Sequence, residues 1–394
     1  MVNFKKIKLL GVFTAAATLF AGAAWAGPTW TFGPEDQGLL KLDYKGQFQL
    51  NVRDDGAEAD GDGTATEFNF RRNRIALVGA YGPNFGLYVQ TEYMEDNNIN
   101  TLSVSDGDNS NFQILDAVFR FKYNDHLNVW LGKFKYNMTR ENLEACEAPL
   151  TLDRSLFIRP SLEQSTRDKG VAVWGNLFEE KFQYRLEVMN GRNDAASAPA
   201  SNLRYGARVH ASLLDPESGY GYKGTYLGKK KVLTIGASYA FEKDVAYADA
   251  ANMTDAVDFK AWSVDLYFEY PVEGMGTFTF STAYLDCDLD DAYRGADPES
   301  DVMGINGEKN GGYTKIGYML HNLPLQLFAR AENWSFAELD GVYDQEIDWY
   351  AGGLNYYFRG QNLKATLQIA NTDFDDESQN DDFMTYTAQL QVIF

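Results

Sequence analysis

Four arginines, Arg140, Arg154, Arg159 and Arg167, fall within one stretch of about thirty residues, 138–168. Glu141, Glu144, Glu147, Asp153, Glu163 and Asp168 share it. A guanidinium stays charged and presents its N–H donors in a planar fork, the geometry that suits a phosphate or a carboxylate. A segment this long in an otherwise economical chain is usually functional. Rings of charge select ions in pores, and Arg and Lys favour anions. Carboxylates outnumber arginines six to four in the stretch. The same residues would therefore also suit a web of ion pairs around water, with no selective role. Other chemistries find little support. Nucleophilic catalysis needs a base beside a nucleophile. The chain has three histidines, His126, His210 and His321, in no Ser–His–acid arrangement, so no enzyme is expected. No C-x-x-C-H haem motif occurs. Cys146 and Cys287 are too few for a disulfide framework or a thiolate metal site, although in an exported chain they could form one bridge. Clustered carboxylates such as Asp373, Asp375, Asp376 and Glu377 could attract divalent cations. Solvated loops are the simpler reading, and no metal or cofactor is expected.

The elements that would position these residues follow from periodicity. Lys5, Lys6 and Lys8 precede an apolar run from Leu9 to about Phe20, and Ala24 and Ala26 then fit an A-x-A cleavage site. Residues 1–26 thus read as a secretory signal peptide, with 27–39 as a periplasmic N-terminal segment. Beyond it no apolar stretch reaches the ~20 residues of a spanning helix, and mean hydropathy is −0.38. Yet aromatics make up 14 % of the chain, Gly is plentiful at 35 and Pro scarce at 10. That mixture suits long strands with an aromatic girdle.

The period is two almost throughout. In Leu40–Arg53 one face carries Leu40, Leu42, Tyr44, Gly46, Phe48, Leu50 and Val52, and the other carries Lys41, Asp43, Lys45, Gln47, Gln49, Asn51 and Arg53. Successive strand side chains point to opposite faces. One face is therefore apolar and the other polar over a length that crosses a bilayer, where a tilted strand needs about 9–11 residues. Sixteen such segments can be counted: 40–53, 67–80, 85–94, 112–123, 127–137, 169–177, 182–190, 203–214, 231–241, 259–270, 277–285, 312–320, 325–334, 347–358, 363–371 and 383–394. Short turns alternate with long connections, as in outer-membrane barrels. The connection 215–230 departs from this by being long where a short turn is due. Only a closed sheet satisfies every backbone group in lipid. The expectation is an all-β, antiparallel, up-and-down membrane barrel over 40–394, its third external loop folded inward. The last strand, alternating through Tyr386, Ala388, Leu390 and Val392 to Phe394, resembles the signal that barrel-insertion machinery reads.

Charge is unevenly spread. The net charge is −21, which disfavours nucleic acid as a partner. Six long loops, 54–66, 95–111, 242–258, 286–311, 335–346 and 372–382, together carry about −29, leaving the mature strands and turns near +7. A net basic barrel would lie beneath an acidic exterior that meets lipopolysaccharide.

Several segments resemble the phosphate-selective porin O/P family in order and spacing. They are Tyr44-Lys45-Gly46, Phe70-Arg71-Arg72-Asn73-Arg74, Gly132-Lys133-Phe134-Lys135, Leu152-Asp153-Arg154-Ser155 and Arg167-Asp168-Lys169-Gly170-Val171. The resemblance is best over about 40–190. It implies a sixteen-stranded, usually homotrimeric channel for small inorganic anions in the outer membrane. The implied lining is Arg72 and Arg74, Arg120 and Lys122, and Lys133 and Lys135, with Arg140, Arg154, Arg159 and Arg167 in the constriction loop. The alternatives are a barrel that sheathes a cytochrome partner and a purely structural barrel.

Overall fold

The computed structural model describes residues 27–57, 63–94, 111–155, 166–191, 199–200, 202–249, 252–290, 292, 307–339, 343–375 and 381–394. The segment 1–26 and Arg159 lie outside them. The chain forms β1 (Thr29–Phe32), β2 (Gly38–Ala57), β3 (Gly63–Tyr81), β4 (Phe85–Met94), β5 (Asn111–Asn124), β6 (Leu127–Lys135), β7 (Arg167–Leu177), β8 (Phe182–Met189) and β9 (Arg204–Ser212). It continues with β10 (Val232–Asp249), β11 (Thr254–Val272), β12 (Gly276–Asp288), β13 (Glu308–Leu320), β14 (Leu325–Leu339), β15 (Tyr343–Tyr357), β16 (Leu363–Phe374) and β17 (Phe383–Ile393). One four-residue helix, α1 (Arg140–Leu143), sits between β6 and β7.

Each of β2 to β17 pairs antiparallel with its sequence neighbours, and β17 pairs with β2, so sixteen strands close into a ring. Short β1 lies outside the ring order and pairs with the start of β2. At the closing seam Tyr44 and Phe394 exchange backbone N–H···O bonds of 2.6 and 3.1 Å, and their rings lie 5.3 Å apart.

The alternation read from sequence becomes the wall. In β11, Ala261, Ser263, Asp265, Tyr267 and Glu269 are buried, while Trp262 and Val264 between them are exposed. Phe119, Leu131, Ile316, Leu367 and Tyr386 continue the exposed apolar surface on other strands. An exposed apolar band of this extent on a closed antiparallel barrel is a lipid-facing surface. The inner wall is polar. At the seam Gln47 donates to Gln391 at 2.7 Å, Gln49 to Gln389 at 2.8 Å, and Thr387 to Asn51 at 2.8 Å.

Several strands outrun their expected ends. Most of the acidic stretches 242–258 and 335–346 are paired strand, since β10 continues to Asp249, β11 starts at Thr254, and β14 and β15 reach Leu339 and Tyr343. Hairpin pairing needs no lipid, so it persists into water where the apolar alternation has stopped. Gly132, inside β6, has φ +127°, and a Cβ there would lie 2.0 Å from the Ala117 carbonyl oxygen. A side chain at that position would force the β5–β6 ladder apart.

Because Val264 faces lipid near the middle of β11, Val264→Arg should destabilise the inserted barrel by about 2–4 kcal/mol. The check is the urea midpoint for folding into liposomes; an unchanged midpoint would show that this face does not meet the hydrocarbon.

Candidate functional site

The chain between β6 and β7 turns into helix α1, capped by the Thr139 hydroxyl, which accepts from the Asn142 N–H at 2.9 Å. From there to Ser155 it touches strands on several sides of the ring. Lys315 on β13 pairs with Glu141. The Ser155 hydroxyl donates to Glu332 on β14. Asn355 on β15 donates to the Leu150 carbonyl at 2.8 Å, and Gln391 on β17 donates to that of Glu147 at 2.8 Å. Lys45 on β2 pairs with the Glu147 carboxylate at 2.7 Å.

A second segment meets it from the opposite end of the barrel. The long connection between β9 and β10, residues 213–231, carries Glu217, Tyr220 and Tyr222, all buried. The Ala145 N–H donates to the Tyr222 carbonyl at 2.9 Å, and the Gly224 N–H to that of Ala148 at 2.8 Å. At their junction Arg140 donates to both carboxylate oxygens of Glu217 at 2.7 Å, with neither side chain more than 1 % exposed. The guanidinium also stacks on Tyr222 and Tyr267, 4.4 and 4.0 Å from the ring centroids. Arg140 outweighs the cost of burial and holds the Glu217 carboxyl down, at about 2.

The ten basic residues expected to line an anion path fall into distinct groups. Arg74 grips Glu92 on β4 at 2.6 and 3.2 Å. Arg167 grips Asp116 on β5. Arg140 is taken by Glu217. Arg72 and its neighbour Arg71 both reach Asp153, at 2.7 and 2.6 Å. Consecutive strand residues normally face opposite ways. Here the β2–β3 register slips at Gln47/Phe48, so Arg71 is the extra residue of a bulge and both arginines can turn to one carboxylate. Arg159 lies outside the described residues.

Two expected lining residues do not line the lumen. Lys133 pairs in register with Ala117 and Lys169, two residues from exposed Leu131, and its amine caps the Ile114 carbonyl at 2.9 Å on the outer surface. Lys122 is exposed at the rim and pairs with Asp125 of its own turn at 2.6 Å. Lys135, Arg154 and Arg120 make no ion pair among the described residues. Lys135 donates to the Glu144 carbonyl at 2.6 Å and Arg154 to that of Asn142 at 3.2 Å.

The proposed disulfide is absent. Cys146 and Cys287 are both buried and are not joined to each other. Cys287 sits in β12, whereas Cys146 lies on the lumen segment 2.6 Å from an Arg74 nitrogen. Burial alone would raise the Cys146 thiol, but Arg74 and Arg72 overcome it and bring it down to about 6. Burial pushes the Glu144 carboxyl up to about 7 in spite of nearby Arg140, Arg154 and Lys135.

Sequence reasoning missed several lumen cations. Arg185 and Lys364 are buried without a carboxylate partner among the described residues, and each has an unbonded nitrogen. Arg208 is spent on Asp265 at 2.7 Å. The alternation of their strands placed Arg185, Arg208 and Lys364 on polar faces. The anomalous length of 215–230 was the available signal for the second insert.

A closed sixteen-strand ring with an apolar outside and a charged, loop-filled inside defines a channel-type barrel of the bacterial outer membrane. The family description "Phosphate-selective porin O and P" matches residues 42–394. The chain belongs to that family. A comparison with curated proteins finds no match. Similar solved structures share the fold at low identity. OmpF of Salmonella typhi, in complex with daunomycin, aligns at TM-score 0.60 and 12 % identity over 92 % of this chain and 99 % of its own. The outer-membrane channel DcaP of Acinetobacter baumannii aligns at 0.55 and 14 %, over 93 % and 100 %. The trimer form of OmpT of Vibrio cholerae aligns at 0.52 and 11 %, over 91 % and 99 %.

Removing one member of the Arg140–Glu217 pair strands a buried charge. Arg140→Leu should cost about 3–5 kcal/mol, and the double change with Glu217→Leu should recover much of it. Thermal unfolding of the four proteins in detergent checks this; equal losses in single and double variants would contradict it. The pH dependence has a fixed sign. Glu217 is depressed in the folded state, so its contribution is complete above the ordinary carboxyl range near 4.5 and is lost as pH falls toward 2. Protease sensitivity of 213–231 should rise across that window and be flat above it.

Proposed function

We propose that this porin is a passive diffusion channel for small anions, oxyanions such as phosphate among them, with its narrowest part beside the segment from Thr139 to Ser155. The observation that carries the reading is an imbalance of partners inside the barrel. Arg120, Lys135, Arg154, Arg185 and Lys364 have no carboxylate partner among the described residues. Three buried carboxylates, Glu144, Glu187 and Glu269, have no cation partner among the described residues, and two of them are met by backbone donors. Glu187 accepts from the Asn137 N–H at 2.9 Å, and Glu269 from those of Tyr226 and Gly228, both at 2.9 Å. Excess fixed positive charge in a narrow aqueous path lowers the free energy of an anion there relative to a cation. Burial lowers the Arg154 guanidinium to about 10, which still leaves it charged at neutral pH.

The middle of the lumen is well filled, with Arg140, Glu141 and Lys315 each no more than 1 % exposed. Ions would pass beside the inserts, and a small unit conductance is expected. That filling disfavours a sheath for a cytochrome. Family and fold favour a channel over an enzyme. We read the assembly as a homotrimer, on the analogy of the trimer form of OmpT. The apolar belt would meet outer-membrane lipid, the acidic loops lipopolysaccharide, and the strand ending at Phe394 the insertion machinery. Cleavage of 1–26 is part of the same reading.

Single-channel recording under a salt gradient tests the selectivity. The reversal potential should show anion preference, and Arg154→Ala should reduce it. Cation preference would overturn the anion reading, and absence of conductance would overturn the channel.

A further inference from the structure

A cavity of about 620 Å³ opens at the short-turn end of the barrel, which is the periplasmic end in this class. Arg120, Asn128, Trp130, Trp174, Asn176 and Tyr220 are among its walls. Five come from β5, β6 and β7, and Tyr220 from the 213–231 insert.

The polar end of the cavity is organised by a stack. The Arg120 guanidinium lies 4.4 Å from the Trp130 ring centroid and 4.9 Å from that of Tyr88. Trp130 stacks on Tyr220 at 3.9 Å and 28°. The Arg185 guanidinium lies 4.8 Å from the Tyr220 ring centroid. Two rings thus flank the Arg120 guanidinium. Its N–H groups make no hydrogen bond or ion pair among the described residues, and Asp116 on the same strand is held by Arg167. A guanidinium held beside two rings with its N–H donors unspent is preorganised for an oxyanion.

The remaining walls say what the oxyanion is attached to. Trp174 stands edge-on to Trp130 at 6.1 Å and is nearly buried, and its indole N–H has no acceptor among the described residues. Asn128 and Asn176 are tied by bonds to the Trp174 and Ser218 carbonyls. A volume of this size falls in the range of sites for small organic molecules, about 300–1,000 Å³. An inorganic anion alone would leave most of it to water.

We propose that this vestibule is a binding site for an organic carboxylate with a flat apolar body, its carboxylate on the Arg120 edge and its ring against the Trp174 side. The proposal rests on the channel reading for its biological sense but not for its test. The test is equilibrium dialysis of labelled benzoate against the full-length folded chain in detergent, with phosphate as competitor. Saturable binding is expected, weakened about tenfold or more by Arg120→Met and less by Arg120→Lys, because the fork is lost but the charge kept. Excess phosphate should displace benzoate poorly. Equal binding by wild type and Arg120→Met, or no saturation, would overturn the site. Displacement by phosphate at equal concentration would overturn the organic-anion assignment. Should Arg120→Met not fold, judged by heat-shifted gel mobility, Arg120→Lys and Trp130→Leu decide the matter in its place. Conductance measured separately tells the two readings apart. Conduction with unaltered binding in the variants sinks the site alone, and binding without conduction sinks the channel alone.

Discussion

Everything in this molecule depends on one constraint, that a strand in hydrocarbon has no water to satisfy its N–H and C=O groups. The only outlets are neighbouring strands, so the sheet has to close, and it does so where β17 meets β2. Closure divides space into two solvents. Side chains outside the ring sit in lipid, and those inside sit in whatever the ring encloses. The amide ladder of Gln47, Gln49, Gln389 and Gln391 is the inner face of the same seam whose outer face carries Tyr44 and Phe394.

The enclosed space is then governed by the cost of burying charge. Once the loop after β6 and the connection after β9 fill the lumen, most charges there lose their water. Many that are fully buried find an opposite charge or a set of backbone donors, and Arg185 and Lys364 are among those that do not. Arg140 with Glu217, Arg208 with Asp265 and Arg74 with Glu92 are of this kind. Residues that could attract a permeating anion are those left over after pairing. They are fewer than the count of basic residues suggests, and they are not mostly in the loop that is richest in arginine.

This explains what could and could not be read in the sequence. Strand number and the inward or outward sense of most residues follow from local alternation, as in Leu40–Arg53, and local patterns are visible in one dimension. Pairing is not local. Nothing near Arg140 in sequence points to Glu217, 77 residues away. Nothing near Arg72 shows that a bulge at Gln47 would turn Arg71 toward the same Asp153. The inward place of Lys133 rests on the resemblance alone; in Trp130-Leu131-Gly132-Lys133-Phe134 it shares its face with exposed Leu131, and the opposite, aromatic face is the inward one. The inward Trp130 and Phe134 pack on Tyr220, from a connection whose unusual length was visible while its destination was not.

The meeting of the two inserts has a mechanical meaning as well. A ring of tilted strands is stiff along its hydrogen bonds but can be squashed across its diameter, like an unspoked hoop under lateral pressure from the bilayer. Here the segment from Thr139 to Ser155 is fastened to β2, β3, β13, β14, β15 and β17, and through Glu217 and Tyr222 to the connection that hangs from β9 and β10. These fastenings act as spokes. They tie the outline of the pore to the integrity of a few buried contacts.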